Sequence, residues 1–281
     1  MSEVETIVRQ IIKTSPAGDD STIITDIKAL LNNVDADKLI SNVLREHYTS
    51  ELQEDIKLSG DIKLVKLGND KFSLISNYNV HGLKFYDLKQ GILFDYDFIN
   101  GKVIDIENSL PSTIENTDEI KQIQKQLDDY IFEYYNELSY GLVVPNNNNT
   151  DELIILIVGE KLNDANYYNG KWVSVYSLNK NSNELFSIIK IKIHYYEDGN
   201  VVMNSINKTN VDTVTNSANL VDSIKTFDSE YELNILKKIN VLNEEKFKNL
   251  RRLMPISRSK IQWGRAIGNY KLGQDVVGGR H

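Results

Sequence analysis

The sequence predicts an α+β fold on three observations. Residues 1–56 carry apolar side chains at helical spacing, short strands bounded by turn residues follow from 57, and two long helical stripes, at 117–138 and 216–239, are set among and after those strands. The expected organisation is a three-helix segment at 1–56, a small β region at 57–110, an antiparallel sheet with helices at 111–242, and a basic amphipathic segment at 243–281.

Val4, Ile7, Val8, Ile11 and Ile12 predict the first helix, which Ser15-Pro16-Ala17-Gly18 stops. Ile23, Ile24, Ile27, Leu30 and Leu31 form the stripe of a second, broken at Asn32-Asn33, and a third covers Ala36 to about Leu52. Three short amphipathic helices with tight breaks predict a helical hairpin bundle.

Beyond residue 56 the pattern shortens. Ile62 to Leu67 ends at Gly68-Asn69-Asp70, Lys71 to Tyr78 follows, and further runs surround Gly91 and Asn100-Gly101. In the helix at 117–138, Ile120, Ile123, Leu127, Ile131 and Tyr134 form the expected buried stripe. Gly141 to Val144, Leu153 to Val158 and Lys171 to Leu178 predict strands, the second buried on both faces. Then Ile189, Ile191, Ile193 and Tyr195 alternate with Lys190, Lys192, His194 and Tyr196, and Val201 to Ile206 returns. Asp198-Gly199 predicts a two-residue hairpin turn. The face bearing Lys190, Lys192 and His194 is expected to meet water or a partner. Leu220, Ile224, Phe227, Tyr231 and Ile235 keep one face of the last long helix apolar for roughly 36 Å, enough to cover a sheet.

Composition narrows the function. At 281 residues, 41% hydrophobic and 26% charged, the chain can bury a sizeable core. It has no cysteine, which excludes disulfides, thiolate metal sites and a cysteine nucleophile. Its longest apolar run, Leu153 to Val158, is too short to span a bilayer, so a soluble cytoplasmic protein is expected. The net charge of −8 is uneven: from Lys246 to His281 nine Lys or Arg face the single acid Asp275, a balance of +8, which leaves −16 for the rest. An acidic body with a basic end points to an acidic partner: an acidic protein surface, an anionic membrane or a nucleic acid. A nucleic-acid binder is the alternative reading, but only Trp263 and Tyr270 could stack on bases among those charges.

No catalytic constellation emerges. His47, His81, His194 and His281 have no metal-ligand spacing, and Gln274 stands where a phosphate loop starting at Gly268 and Gly273 needs lysine. Read as a calcium loop around Gly199, the segment from His194 puts Ser205 in place of the bidentate glutamate. Non-enzymatic binding without cofactor or metal is therefore expected. Trp172 starts a strand as a core or interface anchor.

Two long motifs then carry a resemblance. Ile193-His194-Tyr195-Tyr196-Glu197-Asp198-Gly199-Asn200-Val201 resembles the signature hairpin of F-actin capping protein alpha subunits. Leu250-Arg251-Arg252-Leu253-Met254-Pro255-Ile256-Ser257-Arg258-Ser259-Lys260-Ile261-Gln262-Trp263 is similar to their second signature. Ser15-Pro16-Ala17-Gly18 and Tyr168-Asn169-Gly170-Lys171-Trp172 have counterparts in the same family. The resemblance implies an obligate heterodimer with a capping protein beta subunit. Each subunit would contribute a helical stalk and strands to one shared sheet, which a long helix crosses, and each would end in a C-terminal tentacle. It implies calcium-independent capping of filament barbed ends, regulation by proteins and acidic phosphoinositides, no nucleic acid, no membrane insertion, and a place in the actin-rich cortex. Carried onto this sequence, the actin-contacting positions are Lys248, Arg252 and Arg258, with Arg251 and Lys260 assisting and Trp263 and Ile267 adding apolar contact. The glycines at 264, 268 and 273 are denser than the family pattern.

Overall fold

A computed structural model describes residues 3–31, 35–49, 61–68, 71–114, 116–146, 149–197, 200–211, 219–242 and 244. The chain divides into two compact units, residues 1–225 and 226–281.

Helices α1 (Glu3–Thr14), α2 (Asp20–Leu31) and α3 (Ala36–Thr49) open the first unit, as the periodicity predicts. Glu3 and Glu5 start α1 and Lys13 ends it, each complementing the helix dipole. Gly18, at φ +88°, makes the turn into α2 in a conformation that side chains resist. The buried stripes are narrower than predicted: Val8, Ile12 and Ile27 are buried, whereas Val4, Ile7 and Leu30 are exposed. A short helix covered on one side shields only part of its circumference, and residues at the margins of the stripe stay in water.

Strands β1 (Lys63–Gly68) and β2 (Lys71–Ile75) form a hairpin, and β3 (Val80–His81), β4 (Lys84–Asp87), β5 (Ile92–Asp97) and β6 (Lys102–Glu107) form a four-stranded antiparallel sheet. One apolar cluster runs through these strands and the helices, joining Ile40, Val43, Leu44 and Tyr48 to Val65, Phe85, Phe94 and Phe98. Tyr48 stacks on Phe98 at 6.0 Å, and the Arg45 guanidinium lies over the rings of Phe85 and Phe98. The helices and the small β region thus share a core.

The second layer is built on α4 (Asp118–Tyr134), whose N-cap Thr117 accepts the Ile120 N–H at 3.3 Å. Strands β7 (Ser139–Asn146), β8 (Asn149–Asn163), β9 (Tyr168–Asn179), β10 (Leu185–Tyr195) and β11 (Val201–Val211) form a five-stranded antiparallel meander in the order β11-β10-β9-β8-β7. Residues Leu153 to Val158 of β8 are all fully buried, as their unbroken apolar run predicts. On α4, Tyr134 is exposed, not buried as predicted, and Tyr130 is buried instead, beside Ile131. The helix ends at Tyr134, so that side chain has left the covered arc.

The register assigns the two sheet faces. Gly141 faces α4: a Cβ there would lie 2.2 Å from Ile131 Cδ1 and 2.9 Å from Leu127 Cδ2. Gly141→Ala is therefore expected to cost about 1–3 kcal/mol through overpacking, measured by urea denaturation. A change below 0.5 kcal/mol, roughly the scale of an innocuous surface substitution, would show that the helix can retreat freely. Tyr140, on the opposite face, donates its hydroxyl to Asp87 Oδ2 at 2.9 Å. Asp87 is fully buried and also accepts from Ser73 Oγ and the Gln90 backbone N–H, which ties the small β region to the sheet.

Helix α5 (Leu220–Val241) follows. Its buried side chains Leu220, Ile224, Tyr231 and Ile235 keep the predicted spacing, while Phe227 is half-buried.

Candidate functional site

The face of the sheet opposite α4 changes character along its length. Pairing puts Tyr140, Val158, Val173 and Lys190 in one row, Glu160, Lys171, Lys192 and Asn204 in the next, and Leu162, Asn169, His194 and Val202 in the last. The expectation that Lys190, Lys192 and His194 would face water or a partner is corrected here. The chain's own N-terminal part covers them, because its helices and small sheet pack on that face and bring acids with them.

Asp61 is the centre of this layer. Its carboxylate accepts from Lys192 Nζ at 3.1 Å, and it lies 3.5 Å from His47 Nε2 and 4.0 Å from Lys171 Nζ. Burial alone would push the Asp61 carboxyl up, but Lys171, the hydrogen bond from His47 and Lys192 together hold it well below the usual carboxylate range. Burial would likewise lower the Lys171 ammonium, yet Asp61, Glu160 and Asp20 raise it to about 12. Lys63 donates to Asp20 Oδ2 at 2.6 Å. These groups line a polar cavity of about 210 Å³, to which Ser15 to Gly18 also contribute. Among the described residues three lysines face three carboxylates in this lining, with His47 beside Asp61, an arrangement suited to cohesion within the chain.

Beside it, three motifs that the sequence separates come together. A Cβ on Gly18 would lie 2.4 Å from Asn169 Nδ2, so the connection between α1 and α2 rests directly on that amide. Asp19 Oδ2 is 3.2 Å from His194 Nδ1, and His194 Nε2 is 3.1 Å from Asn200 Oδ1. His194 stacks on Tyr196, whose N–H donates to Tyr167 O at 2.9 Å. The two-residue turn predicted at Asp198-Gly199 lies outside the described residues. The last described pair of β10 and β11 is Tyr195 with Val201.

The two edges of the sheet differ. At β7, Gln124 of α4 donates to Gly141 O at 3.0 Å and accepts the Val143 N–H at 2.9 Å, so a side chain occupies that edge. At the other end β11 is the terminal strand, eleven residues long, without proline and with Lys208 as its one charge. From Val201 to Asn210 none of its side chains is buried, and Val201 and Ile206 are 60% and 62% exposed. Sheet edges that face water usually carry charges, prolines or bulges that block pairing, and this one has almost none.

The predicted contact residues Lys248, Arg251, Arg252, Arg258, Lys260, Trp263 and Ile267 all lie outside the described residues. What sequence reasoning missed is the meeting of Gly18, Asp19, Asn169 and His194. The available signal was that each belongs to, or adjoins, one of the motifs at 15–18, 168–172 and 193–201. No described helix is long and apolar enough to cross a membrane.

Comparison with known proteins agrees along nearly the whole chain. The family model for the F-actin capping protein alpha subunit matches residues 8–275. An F-actin-capping protein subunit alpha from Candida glabrata is 32% identical over 279 residues, covering 99% of both chains. One from Yarrowia lipolytica is 38% identical over 234 residues, covering 82% of this chain and 84% of its own. A solved structure of the homodimeric actin capping protein alpha subunit from Plasmodium berghei covers 92% of this chain and 99% of its own, with a TM-score of 0.63 at 19% identity, a likeness of fold. Motifs, architecture and matched length converge, and the chain belongs to the F-actin capping protein alpha subunit family.

Proposed function

We propose that this chain is the alpha subunit of a heterodimer that binds the barbed end of an actin filament, without calcium and without catalysis, and blocks addition and loss of subunits there. The observation that carries the assembly is the β11 edge. A long, nearly uncharged terminal strand with exposed Val201 and Ile206 is suited to continue into a second subunit's sheet. The capping protein beta subunit is the proposed partner. The +8 segment supplies the grip on actin through Lys248, Arg252 and Arg258, with Arg251 and Lys260 assisting and Trp263 and Ile267 adding apolar area. Acidic phosphoinositides would compete for the same charges, and the site of action is the cytoplasmic actin cortex.

Co-expression with a beta subunit, followed by pyrene-actin elongation from filament seeds, tests the reading. Elongation from barbed ends is expected to stop at substoichiometric complex, with or without a calcium chelator, and unchanged growth at low ionic strength would refute it. The Plasmodium relative described as homodimeric favours a second reading, in which two copies of this chain pair. Sedimentation of the chain alone separates the two. A charge placed on the edge, Ile206→Lys, is expected to weaken assembly about tenfold or more while leaving the thermal unfolding of the chain within a few degrees of the parent. Unaltered assembly would place the interface elsewhere.

A further inference from the structure

Burial ordinarily specifies the register of a strand, because a slip by one residue turns every side chain to the wrong face. Strand β11 lacks that safeguard, since none of its side chains from Val201 to Asn210 is buried. Something else must hold it in step with β10, and the natural place is the tip of the hairpin, where a slip would be absorbed.

The described residues that flank that tip are held from outside the sheet. His194 pairs with Asn169 on one side and Val202 on the other, so the three form a row across β9, β10 and β11. The connection between α1 and α2 seats on this row. Gly18 lies against the Asn169 amide with no room for a side chain, and Asp19 Oδ2 lies 3.2 Å from His194 Nδ1, at ion-pair distance but outside hydrogen-bonding geometry. Asn169 is 3% exposed, and its Oδ1 accepts the Asn163 N–H at 3.1 Å, so the seat is itself fixed to the end of β8. The far side of the His194 ring meets Asn200, the residue immediately before β11.

We infer that Gly18, Asp19, Asn169 and His194 form a positioning clamp through which the α1–α2 connection holds the β10–β11 hairpin, and with it the edge strand β11, in the register that a partner strand requires. This rests on the proposed pairing through β11. Three separate motifs thereby share one role, in which the stalk helices set the geometry of the edge some distance from their own core. These are positioning residues, since none of them lies on the edge strand.

The test uses the full chain in the assembly in which it purifies with a beta subunit. Gly18→Val forces a branched side chain into a left-handed position against Asn169, and Asp19→Ala removes the carboxylate from His194 while leaving the backbone alone. For both, amide hydrogen exchange across residues 201–210 is expected to rise about tenfold or more, with no change at 153–158 in the sheet centre, and the complex is expected to dissociate faster on dilution. Unchanged exchange at 201–210 in Asp19→Ala would overturn the inference. So would an equal rise at 153–158, because general loosening would then explain the effect. The exchange readout stands apart from capping: a parent complex that leaves actin elongation untouched removes the proposed function, while protection at 201–210 still reports on the clamp.

Discussion

Replacing Asp61 with alanine is expected to lower the unfolding free energy by about 3–5 kcal/mol, since it leaves buried cations without their shared counter-charge. Lys171 and Lys192 both turn toward this carboxylate, and the Lys171 side chain is only 11% exposed. Lys190 lies in the next row, and burial lowers its ammonium, partly offset by Asp61. Removing the carboxylate therefore withdraws the attraction and leaves the repulsion among lysines. The same geometry predicts a pH dependence. Asp61 titrates lower in the folded chain than in the unfolded one, where a carboxyl of this type titrates near pH ~3.9. Its contribution is thus complete above about pH 4 and is lost as the pH falls toward the folded value. Urea denaturation of parent and Asp61→Ala at about pH 7 and about pH 3 checks both statements. The difference between them should be large at neutral pH and shrink in acid. A loss under about 1 kcal/mol at neutral pH would mean that water in the adjoining cavity already screens the cluster.

Truncation before Arg251 is expected to abolish barbed-end capping while the heterodimer still forms, because the proposed pairing edge and the proposed grip lie in different parts of the chain. Charge reversal at Lys248, Arg252 and Arg258 should act mainly on encounter. Actin is acidic and the remainder of this chain carries −16, so the +8 segment must overcome a repulsive approach. Association with filament ends is expected to slow by roughly 10- to 100-fold at low salt, with a smaller difference at high salt where the parent is screened as well. Elongation rates measured against time after mixing, at two ionic strengths, separate the two phases. An effect confined to dissociation would contradict steering, and loss of the heterodimer on truncation would give the segment a structural role.

Periodicity in this chain encodes its elements well, because spacing of 3.6 or 2 is a property of neighbouring residues. The three N-terminal helices, the stripe from Ile120 to Ile131 on α4, the doubly buried run from Leu153 to Val158 and the alternation of β10 all follow from it. Family membership was legible too, from motifs at 15–18, 168–172, 193–201 and 250–263. That both sides of β10 would be covered was not. Lys190, Lys192 and His194 have the composition of a solvent face, and only the packing of Asp19 and Asp61 against that side makes it interior.

Element type, family and the concentration of positive charge at one end were thus written in local pattern and could be read without coordinates. The covered face, the convergence of Gly18, Asn169 and His194, and the contrast between a β7 edge plugged by Gln124 and a β11 strand with no buried side chain from 201 to 210 depend on contacts between residues far apart in the chain. Such contacts arise from the order in which strands are laid down beside one another, and no run of neighbouring residues records that order.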